Sequence, residues 1–75
     1  MVNRETVAAQ LRAHRAIAYV SQGDLAENIG VSVNSISAWE QGKSLPDVLN
    51  LAKIADFYGV SIDQLTGHEV MAKED

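Results

Sequence analysis

One short spacing limits what this chain can fold into: a single residue, Val31, separates Gly30 from Ser32. Glycine readily takes the left-handed conformation that ends a helix, and serine is a strong N-cap. Ahead of Gly30, Ser21 caps a segment from Gln22 to about Ile29, with Asp24 three residues on as a weak capping box. Val20 before that cap and Leu25 at the fourth helical position fit a hydrophobic staple. Behind Val31, Ser32 caps a segment that runs to about Gln41, where Gly42 stops it. Each segment is about two to three turns long, and helices this short are unstable alone in water. They must therefore pack across one another at a tight corner and bury their shared face against the rest of the chain.

The remainder also reads as helix. From Arg4 to Ile17, Val7, Leu11 and His14, continued by Ala18, recur at three- to four-residue spacing on one face. Asp47, after the single proline Pro46, caps a fourth helix. Its expected inner face is Val48, Leu51, Ala52 and Ala55 with Tyr58 or Phe57, and Gly59 ends it. Ser61 and Gln64 have capping-box spacing for a short fifth helix through Leu65. No period-2 run bounded by turn residues suggests a strand. The expectation is an all-α, five-helix domain over residues 1–66, with 67–75 as a flexible tail carrying His68 and the terminal Lys73, Glu74 and Asp75.

Several classes are excluded. The longest apolar run, Ala16 to Val20, falls far short of the roughly 20 residues of a membrane span, so no membrane is expected. Arg4 and Glu5 lead into a mixed amphipathic stretch, not a signal-peptide pattern. The absence of cysteine removes disulfides and thiolate metal sites and fits a reducing cytoplasm, the expected location. Two separated histidines, His14 and His68, show no H-E-x-x-H pattern, so neither metal nor cofactor is expected. The serines lack a G-x-S-x-G elbow, and with no catalytic constellation neither an enzyme nor a small-molecule substrate is expected.

The central pair of helices assigns inside and outside. Leu25 and Ile29 share a face, Ala26 is small enough for a close crossing, and Val31 plugs the corner. Ile36 and Trp39 form the inner face of the third helix, with Trp39 as a core anchor. That leaves Val33, Asn34, Ser37 and Ala38 outside, with Ser32 and Ser35 near the helix start. Short side chains allow close approach to a groove; asparagine matches adenine with two hydrogen bonds, and serine contacts bases or phosphates. Taken alone, Asn34 and Ser37 read equally well as ordinary surface residues.

The segment SQGDLAENIGVSVNSISAWEQGKSLPDVLNLAKIADFYGVSIDQL resembles the helix-turn-helix of lambda-repressor/Cro-like (Xre-type) transcriptional regulators. The resemblance covers about residues 7–66 and rests on an ordered set: SQxxLA, the IGVS turn, SISxWExGK, the proline and the closing GVSIDQL. It implies a lambda-repressor-like DNA-binding domain. Gln22 would touch a phosphate or flanking base, and Val33, Asn34, Ser37 and Ala38 would face the major groove. Ser32, Ser35, Gln41, Lys43 and Ser44 would hold the DNA backbone, and Arg15 would pair with Glu40 for structural reasons. The implied activity is sequence-specific transcriptional regulation, as a repressor, by a homodimer on a palindromic double-stranded operator.

The sequence departs from the family pattern at three places, of which the first favours an alternative. Val33 and Ala38 stand where relatives commonly carry Arg or Lys, His14 replaces a usual Leu, and Ala16–Val20 replaces a charged stretch ending in Gly. The alternative is a protein-interaction module, antitoxin-like or adaptor, that keeps the fold without DNA binding. The net charge of -4 points the same way. It is unevenly spread, however: residues 1–15 hold three arginines against one glutamate, whereas residues 45–75 hold six acids against two lysines. A DNA-facing surface need not share the sign of the whole molecule.

Overall fold

A computed structural model describes residues 3–67. It contains five helices: α1 (Arg4–Ala18), α2 (Gln22–Ile29), α3 (Val33–Glu40), α4 (Val48–Tyr58) and α5 (Ile62–Thr66). Of the tail expected over 67–75, Gly67 is described, as the C-cap of α5; residues 68–75, His68 included, lie outside the described residues.

Every helix starts on a side-chain cap. Ser21, Ser32, Asp47 and Ser61 each accept from the backbone N–H three residues on, relieving one of the orphan donors at a helix start. Asn3 does the same for Thr6 at 2.8 Å, a cap not foreseen. Ser61 and Gln64 complete the reciprocal capping box. The α3 helix stops at Glu40, one residue earlier than expected, because Gln41 is the C-cap.

The core is Val7, Leu11, Leu25, Ala26, Ile29, Ile36, Trp39, Ile54, Ala55 and Leu65, with Val20, Val31, Leu51, Tyr58 and Val60 packed against it. The clamp expected between α2 and α3 is therefore present. Two assignments of inner face need correcting. Ala18 is exposed at the end of α1. Val48 is 76% exposed, while Ile54, which was passed over, is completely buried. The α4 helix packs on both α2 and α5, so its inner stripe runs through Leu51, Ile54, Ala55 and Tyr58; Val48 lies in the first turn, where nothing covers it.

Two helix ends carry specific backbone demands. Gly67 caps α5 with φ 75°, and a Cβ there would lie 2.3 Å from Thr6 Cγ2, so α5 closes directly onto α1. Tyr19 ends α1 in the left-handed region, φ 57° and ψ 42°, with its side chain 95% exposed. An L-residue with a side chain pays a steric cost there and, being exposed, recovers no packing. Tyr19→Gly is expected to stabilise the fold by about 0.5–1 kcal/mol, the relieved strain being partly offset by the greater freedom of glycine in the unfolded chain. A thermal melt checks this, and an unchanged or lower midpoint contradicts the strain argument.

Candidate nucleic-acid interface

The α2–α3 corner presents one continuous outer face. A Cβ built on Gly23, in the first turn of α2, would lie 4.0 Å from Val33 Cγ2, so the two helix starts adjoin. Asn34 is exposed and Val33 is 46% exposed, while Ser37 and Ala38 are half-buried. The Asn34 side chain has no hydrogen-bond partner among the described residues, so its amide is open to an outside group.

The other polar candidates are partly occupied. The Ser32 and Ser35 hydroxyls are 3.2 Å apart, and Ser32 Oγ also accepts the Ser35 N–H. Gln41 Nε2 donates to Ser37 Oγ at 2.7 Å. Lys43 and Ser44 are exposed in the turn after α3, which is held by the Lys43 N–H on Ala38 O at 2.9 Å. Gln22 is half-buried and donates from Nε2 to Glu40 Oε1 at 3.0 Å. One of its two amide hydrogens is thus spent inside the protein.

That bond belongs to a polar knot joining three helices. Arg15 grips Glu40 with two prongs, Nε to Oε2 at 2.7 Å and Nη2 to Oε1 at 3.0 Å, and its Nη1 donates to Val20 O at 2.9 Å. Glu40 is 4% exposed, a placement a carboxylate tolerates only when paired and hydrogen-bonded. The bonds that Arg15 donates to Glu40 raise the Arg15 pKa above its ordinary value. The knot fixes the crossing of α1, α2 and α3 from the polar side as the core does from the apolar side.

Beside the knot lies Tyr58, whose hydroxyl is buried without a hydrogen-bond partner. Burial, and secondarily the Glu40 charge, push its pKa up to about 12. His14 packs at 5.8 Å between ring centroids from Tyr58, and its Nδ1 is 2.8 Å from Gln10 O, a packing role in keeping with its expected one. Among the described residues no His, Cys, Asp and Glu cluster is suited to a metal ion, and no helix is long and apolar enough to cross a membrane.

Two basic residues escaped the sequence reading. Arg12 Nη1 donates to Glu40 O at the end of α3, and Arg4 Nη1 donates to Lys43 O at 3.4 Å. The excess of arginine over residues 1–15 was the only available signal, and it did not say which surface they meet.

Comparison with known proteins agrees with this architecture. A family model described as helix-turn-helix matches residues 11–65. The transcriptional repressor RstR of a cryptic phage in Vibrio cholerae is 45% identical over 47 residues, 63% of this chain and 42% of that protein. This chain thus spans less than half the length of that relative. An uncharacterized HTH-type transcriptional regulator of Methanocaldococcus jannaschii is 40% identical over 60 residues, 80% of this chain and 91% of that protein. The P22 c2 repressor, solved in complex with a synthetic operator, superposes with a TM-score of 0.79 at 28% identity, covering 84% of this chain and 96% of that one. With five helices among its described residues, its α2–α3 corner and a family match over most of its length, the chain belongs to the helix-turn-helix family of lambda-repressor/Cro-like (Xre-type) regulators.

Proposed function

We propose that this protein is a sequence-specific DNA-binding transcriptional regulator, a repressor, that sets the start of α3 into the major groove. The observation that carries this reading is the two-sidedness of α3: Ile36 and Trp39 are buried at 1% and 7% exposure, while Asn34 stands exposed and unbonded on the opposite side. Among known proteins, the similarity to a repressor solved on operator DNA supports it.

In this reading Asn34 reads a base, and the apolar Val33 and Ala38 suit thymine methyl groups. Ser37 is already tied to Gln41 and contributes less to base choice. Ser32, Ser35, Gln41, Lys43, Ser44 and the free hydrogen of Gln22 hold the backbone. One module makes few contacts, so we propose a homodimer on a palindromic site, with half-sites about 34 Å apart. Val48 and Leu49, 76% and 72% exposed, offer apolar surface that the monomer leaves uncovered.

Asn34→Ala is expected to relax sequence preference at one position, costing about 1–3 kcal/mol on the preferred site, whereas Lys43→Ala weakens all sequences alike. Fluorescence-anisotropy titrations on selected and random duplexes measure both. Equal losses on both duplexes in both variants would refute the division of labour. Selection of bound DNA from a random pool tests the whole reading: an enriched palindrome supports it. Failure to bind any duplex at low salt favours instead an interaction module, the reading suggested by the acidic balance and the exposed Val33.

A further inference from the structure

The cations of this acidic chain are not scattered. The described residues carry five Lys and Arg side chains: Arg4, Arg12, Arg15, Lys43 and Lys53. Arg15 is neutralised by Glu40, and Lys53 lies at the far end of α2, with Nζ 3.5 Å from Ile29 O. The other three converge. Arg12 reaches the carbonyl of Glu40, the last residue of α3, and Arg4 reaches the carbonyl of Lys43. The turn between them lies on α1, since a Cβ on Gly42 would sit 3.8 Å from Arg4 O and 3.9 Å from Ala8 Cβ. None of the three forms an ion pair among the described residues, and all three are exposed.

We propose that Arg4, Arg12 and Lys43 form a phosphate-binding ridge at the C-terminal edge of α3, so that α1 also grips the DNA backbone. The proposal rests on the DNA-binding reading above and adds two residues from a helix outside the α2–α3 corner. Three like charges gathered without an ion pair among the described residues repel one another, and the arrangement makes sense when an anion meets them. Arg4 also stands in the first turn of α1, where the positive end of the helix dipole disfavours a cation. Capping of the Glu40 carbonyl at the end of α3 and a bond to the Lys43 carbonyl in the turn account for one N–H from each guanidinium. They leave the rest of each five-donor fork available to phosphate oxygens, which this geometry suits.

The test compares wild type with Arg4→Gln/Arg12→Gln, whose amides can still donate to the carbonyls but carry no charge. Anisotropy titrations on a random-sequence duplex, from about 50 to 200 mM salt, give the slope of log K against log salt. The double variant is expected to lower the magnitude of that slope by about 1.8, roughly 0.9 for each lost phosphate contact. Its affinity loss should be equal on random and selected duplexes. Lys53→Gln, remote from the ridge, should leave the slope unchanged.

An unchanged slope in the double variant, with a lowered thermal midpoint, means that the arginines only hold the end of α3 and its turn, and overturns the ridge. An equal fall in slope for Lys53→Gln assigns the effect to net charge and also overturns it. Should the double variant fail to fold, Arg4→Gln alone, which touches only the turn, must still lower the slope by about 0.9. If wild type binds no duplex at the lowest salt, the DNA-binding reading itself falls and the ridge falls with it. Wild-type binding with unaltered variants rejects the ridge alone.

Discussion

Glu40→Ala is expected to lower stability by about 2–3 kcal/mol, because it strands a guanidinium built around two carboxylate bonds. Breaking a fully buried pair costs about 3–5 kcal/mol; the Arg15 side chain is 25% exposed, so water recovers part of the loss. A domain of this length holds roughly 4–11 kcal/mol in total, so the change removes a large share of it. The melting midpoint should fall by about 10–20 °C. Glu40→Gln keeps the shape and one acceptor and should fall between. A midpoint for Glu40→Ala within a few degrees of wild type would show that the knot contributes little to stability. The variant should also weaken DNA binding, since Gln22 and α3 lose their common tether.

Trp39→Ala is the larger loss, expected to reach about 3–5 kcal/mol. Trp39 is 7% exposed in a core that also holds Ile36, Leu25 and Ile29, and a chain this small has few other large side chains with which to fill the space. The expected result is loss of the cooperative melt and of much of the helical circular-dichroism signal at 37 °C. Trp39→Phe, which refills most of the volume, should restore a cooperative transition at a lower midpoint. A Trp39→Ala protein that still melts cooperatively near the wild-type temperature would mean that α3 is anchored by something else. Both substitutions act from inside on the helix proposed to read DNA, so binding data on them mean little without the melts.

What was legible beforehand and what was not divides by distance along the chain. Ser21, Ser32, Asp47 and Ser61 were readable as caps because a cap bonds to a backbone N–H three residues away. The α2–α3 clamp was readable because two short helices joined by Val31 have few ways to meet. The inner face of α4 was read askew, Val48 in place of Ile54, because its register depends on α2 and α5, which lie elsewhere in sequence. Arg15 and Glu40 stand 25 residues apart, and only the family resemblance foretold their bond. For Arg12 and Arg4, 28 and 39 residues from their carbonyl partners, there was no such guide. Within the candidate site, the outward placement of Asn34 followed from helical periodicity. The pairing of Ser37 with Gln41 did not, since a surface serine has water as an equal alternative.

The knot of Arg15, Glu40 and Gln22 has an evolutionary corollary. It orients α3 from behind, and Val33, Asn34 and Ala38 share none of its bonds. In the proposed reading those three positions are therefore free to be rewritten as a target drifts, while the frame that aims them stays put. A lineage built this way can change its address many times without having to relearn how to fold.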